Sequence, residues 1–478
     1  MSPEEFRSAA AEVMDWIARY IGGTAPGEPF PVLAQVQPGE LLARLPSAPP
    51  EEGEEIAAML DDFRTLILPG ITHWNNPSFF AYFATSAAGA GILAESLVAA
   101  LNVNAMLWRT SPAATELEEV ATDWLRQLLG LPSDFRGHLQ DTASTSTLVA
   151  MATAREATGL LVRDEGMSGR DLPRLRLYCS EEAHSSVEKA AITLGLGRAG
   201  VTRIGTDDEF RMDPKLLRSA LERDLAAGVK PFCVVATIGT TSTTSVDPVD
   251  RIADLADEFG LWLHVDAAYA GVAAIVPEKR ELMVGWERAA SIVVNPHKWL
   301  FVPLDCSVLL LRDPAATRAA FSLVPEYLTT PEEPLAPNLM DYGHALGRRF
   351  RALKLWMILR YFGGTGIAER LRAHIALAAR FAEWIEQEEG WEVLAPVPFS
   401  TVCFRYAPSA LDEDAADHLN ATILERVNRS GETFLSHTRI LGKYSLRLAI
   451  GNIRTEEKHV RRAWELLRGA AAELHPPR

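Results

Sequence analysis

Cysteine is scarce in this chain, and what there is has no spacing that chemistry could use. The four cysteines, Cys179, Cys233, Cys306 and Cys403, are far apart and form no CxxC pair. That excludes a disulfide framework and a zinc site, and leaves reduced thiols in the core of a protein from a reducing compartment. No apolar run approaches the roughly 18 residues that span a bilayer. The chain opens MSPEEFRSAA, acidic where a secretory signal is basic, so a cytoplasmic location is expected. Positive charge is in deficit: 47 Lys and Arg stand against 63 Asp and Glu, a formal net charge of -16. Nucleic acid and anionic membrane are poor partners for such a surface, and a small molecule is the better expectation. Internal repeats and low-complexity tracts are also missing.

The composition that remains, 48% apolar and 23% charged over 478 residues, is that of a soluble globular protein with two or three domains. Apolar residues Phe6, Val13, Ile17 and Tyr20 recur at helical spacing, so residues 3–21 are expected to form a helix ended by Gly22-Gly23. A proline-rich stretch and a helix over 54–68 follow. This opening has too little apolar pattern to close a core alone and needs something to pack on, such as a second copy of the chain. Helices are expected over 87–105 and 112–129. From Leu175 the runs LRLYCS, VTRI, CVVATIG, LWLHVDA, SIVVNP and CSVLLLR alternate with helical stretches, the mark of an α/β fold with a mostly parallel sheet. Residues 322–341 hold four prolines and no periodicity, which reads as a functional lid or as disorder. Past Gly363-Gly364, a long helix over 367–389, strands at VCFRY and YSLRLAI, and a final helix capped by Thr455 form an α+β layer. The expected division is an N-terminal helical segment over 1–86, a large domain over 87–365 and a small domain over 366–478.

Sites in parallel sheets lie at the carboxyl ends of the strands. Three polar positions fall there: Thr240 to Ser242 after CVVATIG, Asp266 closing LWLHVDA, and Asn295 to Lys298 after SIVVNP. Lys298, in an irregular segment behind a buried strand, is either a snorkelling surface cation or an amine aimed and desolvated for a Schiff base. Asp266 is either a cap or sheet-end ion pair, or the partner of a pyridinium nitrogen. The segment DTASTST, opening an alanine-rich helix, is either an ordinary helix cap or a phosphate cradle built from free backbone amides. His184, after another strand, is a cap or a ring that lies flat on a cofactor. The aromatics of HWNNPSFFAYFAT form either a core edge or the wall of a pocket for a flat ring. Amine, acid and phosphate nest together name pyridoxal phosphate as the cofactor; no metal is expected.

Carried by NPHKWL, VDAAYAG, AHSSVEKA, TASTST, FFAYFAT and LGRRFRALKLW, the chain resembles the group II pyridoxal-phosphate decarboxylases, and within them the aromatic L-amino-acid decarboxylases, from about Pro3 to about Leu467. The resemblance implies a type I aminotransferase-like fold and a homodimer with the active site at its interface. It also implies decarboxylation of an aromatic L-amino acid to the arylalkylamine. By motif, Lys298 holds the cofactor, Asp266 keeps its ring nitrogen protonated, and His184 and Ala268 cover the two ring faces. Ala143, Ser144 and Asn295 take the phosphate, Thr241 lies near the cofactor's phenolic oxygen or the substrate carboxylate, and His297 buttresses the site. Substrate contacts fall on Thr85, Tyr82, Phe83, Met106, His184 and Gly347, and Tyr327 in the proline-rich segment returns a proton to Cα. Relatives that make aldehydes carry phenylalanine at that position or replace the stacking histidine, whereas Tyr327 and His184 are both present here. Gly347 stands where plant relatives have glycine for indole substrates and serine for phenolic ones. Asn75, Ala84, Met106, Asp141 and Thr145 depart from the common pattern and reshape the pocket and phosphate loop. The rival readings are an aldehyde synthase of the same family, or another enzyme of the fold such as an aminotransferase or a desulfurase.

Overall fold

The computed structural model describes every residue except 26, 28, 324–331, 333–334 and 477–478. It divides into two compact units. The first comprises Met1–Ala84, Ile385–Glu392 and Phe404–Arg478, and the second Thr85–Trp384 and Val393–Cys403.

The second unit is built on a seven-stranded sheet. Its strands are β1 (Arg136–Gln140), β2 (Leu175–Ser180), β3 (Val201–Ile204), β4 (Lys230–Thr237), β5 (Trp262–Asp266), β6 (Ser291–Val294) and β7 (Ser307–Leu311), in the order β1-β7-β6-β5-β4-β2-β3. The five strands from β2 to β6 are parallel. β7 runs against both its neighbours, so the expected mostly parallel sheet holds with one reversed strand. Central strands such as FCVVAT and SIVV are buried on both faces, as helix-covered strands must be. Helices Ala143–Glu156, Val249–Phe259 and Pro112–Leu129 pack on the sheet or its strand ends. Pro112 opens the last of these and Gly130, at φ 73°, closes it, each doing what its backbone allows. The helix Ala352–Glu386 is broken at Gly363 (φ 63°, ψ 169°), where the glycine pair predicts a stop. All four cysteines are buried free thiols.

The first unit begins with helix Pro3–Gly22, closed by a Ser2–Glu5 capping box at one end and Gly23 at φ 72° at the other. None of its residues is buried, nor is any in helix Ile56–Asp62. The helix expected over 54–68 is shorter than that and gives way to a π turn at Phe63–Ile67. Four strands, β8 (Trp391–Val393), β9 (Thr401–Tyr406), β10 (Ser436–Ile440) and β11 (Lys443–Ala449), form a sheet in the order β10-β11-β9-β8. The last helix is Glu457–Leu474, and its cap is Glu456. Thr455, the expected cap, instead donates its hydroxyl to the Pro77 carbonyl at 2.7 Å.

Among the described residues, His138 is one whose buried side chain has no hydrogen-bond partner. His138 on β1 is 6% exposed, stacks face to face on Tyr342 at 4.0 Å, and leaves both ring nitrogens unbonded. Since an unpaired buried donor and acceptor cost more than an apolar isostere, His138→Leu should stabilise the protein by about 1 kcal/mol. A rise in urea midpoint at unchanged slope is the expected result.

Candidate active site

Parallel register brings the chemistry to one edge. Thr237 at the end of β4 pairs with Asp266 at the end of β5, and Asp266 pairs with Val293 on β6. Because β7 is reversed, its first residue, Ser307, meets the last residue of β1, Gln140, at that same edge. Ser307 Oγ lies 2.8 Å from Ser146 Oγ on helix Ala143–Glu156, which ties the start of that helix to the sheet.

Asp266 is 6% exposed and its Oδ1 accepts one amide, Ala268 N, at 3.1 Å. One neutral hydrogen bond does not offset the burial of a carboxylate, so a cationic partner is required. Lys298 follows β6 on a single helical turn, Pro296–Trp299, rather than in the irregular segment expected; Pro296 at its first position pre-sets the turn. Burial pushes the His184 imidazole down; the charge of Lys298 adds to this and that of Asp266 opposes it. The three groups therefore share one field. His184 Nδ1 accepts from Ser186 N at 3.2 Å and lies 2.9 Å from its Oγ, which puts the proton of the neutral ring on Nε2.

His297 is pushed down to about 4, by burial first and Lys298 second, and its Nδ1 accepts from Cys306 N at 2.9 Å. A neutral ring accepting at Nδ1 must donate at Nε2, and the Asn295 amide lies 3.4 Å from that atom. Proton counting thus turns the Asn295 oxygen towards His297 and its two N–H donors towards the position now marked by a buried, unpartnered amide atom. Helix Ala143–Glu156 starts at Thr142 without a side-chain cap, so the amides of Ala143, Ser144 and Thr145 have no intrahelical acceptor. Asp141 Oδ1 is taken by the Thr142 amide at 2.5 Å and its hydroxyl at 3.2 Å. The unusual aspartate is thereby occupied locally and leaves those amides to an anion.

Thr241 is exposed on the loop between β4 and Asp247. That loop is closed by a clamp that the sequence did not announce. Asp247 donates its amide to Thr237 O at 2.9 Å, and its carboxyl accepts Thr237 N at 2.8 Å and Met212 N at 2.7 Å. Burial pushes this carboxyl up to about 7. In VDPVD an aspartate before proline reads as a helix opening, so no signal marked it.

Met106 and Gly347 stand on adjoining segments, joined through the Asn104–Arg349 bridge and the Ala105 N to Arg348 O bond at 2.8 Å. Arg348, also unforeseen, is 9% exposed and donates to Glu118 Oε1 at 2.7 Å and to Leu139 O at 2.6 Å. This wall therefore hangs on β1, one residue before the edge. Thr85 is half-buried. Tyr82 and Phe83 belong to the first unit, where Tyr82 stacks on Trp74 at 5.7 Å and Phe83 lies under the Arg447 guanidinium at 4.6 Å. Phe79 and Phe80 of the same run are fully buried core. Tyr327 lies outside the described residues.

An amine and a buried carboxylate that act on one neutral imidazole, with amide donors at a helix start, fit a phosphorylated pyridine aldehyde, and no group of three or more metal-ligating side chains exists among the described residues. With this strand order, they define a fold-type I pyridoxal-phosphate enzyme. Residues 38–407 match the pyridoxal-dependent decarboxylase conserved domain, and the chain belongs to that family. It is 41% identical to tyrosine decarboxylase 2 of Arabidopsis thaliana, over 99% of this chain and 88% of that one. To phenylacetaldehyde synthase of the same plant it is 40% identical, over 99% and 97%. The crystal structure of Oryza sativa TDC with PLP and tryptamine superposes with a TM-score of 0.95 at 37% identity, covering 99% of both chains. The protein is a carboxy-lyase and its cofactor is pyridoxal 5′-phosphate.

The buried histidines set an acid limit. His138, His264 and His297 are held to about 3, 4 and 4 by burial, against an ordinary 6.5. As pH falls below about 6.5 the unfolded chain binds protons that the folded chain refuses, so stability present at neutral pH is lost down to about 4. Asp247, raised from 3.8 to about 7, works in the opposite sense, but it is one group against three. The urea midpoint of the holoenzyme should therefore fall between pH 7 and pH 4.5, and a flat profile would show that these rings are not buried neutral.

Proposed function

We propose that this enzyme decarboxylates an aromatic L-amino acid to the arylalkylamine and CO₂. The observation that carries the reading is the shared field of Lys298, Asp266 and His184 at one sheet edge, on a chain whose relatives include tyrosine decarboxylases. When bound, the cofactor supplies an aldehyde carbon and a cationic ring that accepts the electrons of the breaking Cα–carboxyl bond. Lys298 Nζ is the amine that holds that carbon, and Asp266 keeps the proton on the ring nitrogen. The His184 imidazole covers one ring face and Ala268 the other. Neutrality lets His184 lie against a cationic ring without repulsion. The amides of Ala143 and Ser144, with the Asn295 amide, hold the phosphate. His297 holds Asn295 in orientation, and Thr241 lies by the phenolic oxygen or the substrate carboxylate. Thr85, Met106 and Gly347 contact the substrate, and Tyr327 delivers the proton to Cα. Aromatic aldehyde synthesis is the second reading, favoured by the likeness to phenylacetaldehyde synthase. It consumes O₂ and releases aldehyde, ammonia and peroxide in place of amine.

Product identification separates the two. With tyrosine, tryptophan, phenylalanine and dopa, the wild-type protein should release CO₂ and amine without peroxide. Lys298→Ala should abolish turnover and the imine absorbance that borohydride removes, while Tyr327→Phe should divert product to aldehyde and peroxide. An amine yield unchanged by Tyr327→Phe would refute the proton role.

The working form is a homodimer with its active site at the interface, in the cytoplasm. Leu93, Leu97 and Leu101 are each at least half exposed at i, i+4 spacing on helix Gly89–Leu101, and no residue of the opening helices Pro3–Gly22 and Ile56–Asp62 is fully buried. Such faces suit a second copy. The four buried free thiols suit a reducing compartment, and no described helix is long and apolar enough to cross a membrane. Sedimentation at micromolar concentration should give twice the 52.4 kDa chain mass; a monomer that retains turnover would overturn the shared site.

A further inference from the structure

Asn104 stands two residues before Met106, and its hydrogen bonds fix which way it faces. Its Oδ1 accepts the Arg348 amide at 2.9 Å. That amide cannot turn away, because the Arg348 side chain is anchored on Glu118 and Leu139 and its carbonyl takes Ala105 N. The Asn104 Nδ2 is thereby directed to the Met106 sulfur, at 3.3 Å. A thioether is a weak acceptor and can take only one of the two N–H groups. Asn104 is exposed, so the other is open to whatever lies along the wall. On the adjoining segment, a Cβ added at Gly347 would meet nothing within 4 Å.

We propose that Asn104 determines specificity, presenting an N–H donor to the far end of the substrate ring and so favouring hydroxylated rings, those of tyrosine or dopa. The inference rests on the reading above that Met106 and Gly347 wall the substrate. A phenol oxygen accepts from the amide. An indole N–H faces it donor to donor, and an unsubstituted phenyl ring leaves it unpaired. The open space at Gly347 admits either ring by size, so polarity at Asn104 decides between them. A site built to bond a hydroxyl discriminates against the analogue that lacks it, because the site's own polar group is then stranded.

The test is the ratio of kcat/KM for tyrosine to that for phenylalanine, with tryptophan alongside, in the holoenzyme and two variants. The wild type should prefer tyrosine about fivefold or more, the worth of one neutral hydrogen bond. Asn104→Leu should bring the ratio to about one by lowering the tyrosine value, with cofactor absorbance unchanged. Asn104→Asp keeps the bond to the Arg348 amide but turns the donor into an acceptor, to which a phenol O–H and an indole N–H can both donate, and should raise tryptophan relative to its wild-type value while phenylalanine stays disfavoured. A tyrosine-to-phenylalanine ratio that stays at its wild-type value in Asn104→Leu, with full cofactor content, overturns the proposal while leaving aromatic decarboxylation standing. Wild-type protein that turns over none of the three amino acids overturns the underlying reading and this proposal with it.

Discussion

A carboxylate taken out of water at the end of β5 constrains the rest of the molecule. Asp266 is 6% exposed with a single amide on its oxygens, and its desolvation is repaid only by positive charge nearby. Lys298 acts on the same imidazole, His184, as Asp266 does, but the acid and the amine come from different strands and depend on register. Asp266 pairs with Val293, and Lys298 lies five residues on, past a proline-started turn. A shift of one residue would face Asp266 to the opposite side of the sheet. The buried, β-branched strands FCVVAT and SIVV are what make that slip costly, so the dry core and the charged site are consequences of one pairing.

Much of this was legible in the sequence, because parallel strands buried on both faces are short apolar runs and their carboxyl ends can be read off directly. Asp266 and Lys298 were found that way. Direction was not legible: CSVLLLR looks the same whether it runs with β6 or against it, and β7 runs against it. β1 was missed because RGHLQ offers one aliphatic residue and no alternation, its place in the sheet being secured by Leu139 and by the Thr122 helix face against Gly137. Buried ion pairs were equally silent. Lys354, 1% exposed, reads as one more cation on a helix until Glu95 meets it from far along the chain. Thr455 had the chemistry of a cap but found a better acceptor in Pro77 O. Asn104 was passed over two residues before Met106, because its orientation exists only once Arg348 has been placed.

Three buried carboxyl groups stand at or behind this edge, and their surroundings give each a different state. Glu118 is paired with Arg348, the two side chains only 2% and 8% exposed, and also accepts Leu139 N at 2.9 Å. Removing either partner would strand the other, at a cost of about 3–5 kcal/mol, and would release the wall that carries Met106, Gly347 and Asn104. Asp247 has only amides for company, so burial raises it to about 7 and its oxygens serve as fixed acceptors for Thr237 and Met212 rather than as a lasting charge. Asp266 has neither a bidentate arginine nor a full set of amides. The first two are complete within the protein. In the proposed site the third is completed by the cofactor, because a carboxylate left with one amide is a standing preference for a cationic nitrogen, and a pyridine ring offers one. An arginine set against Asp266 would satisfy the acid and abolish that preference, so the incomplete pairing is what keeps the edge available for a cofactor.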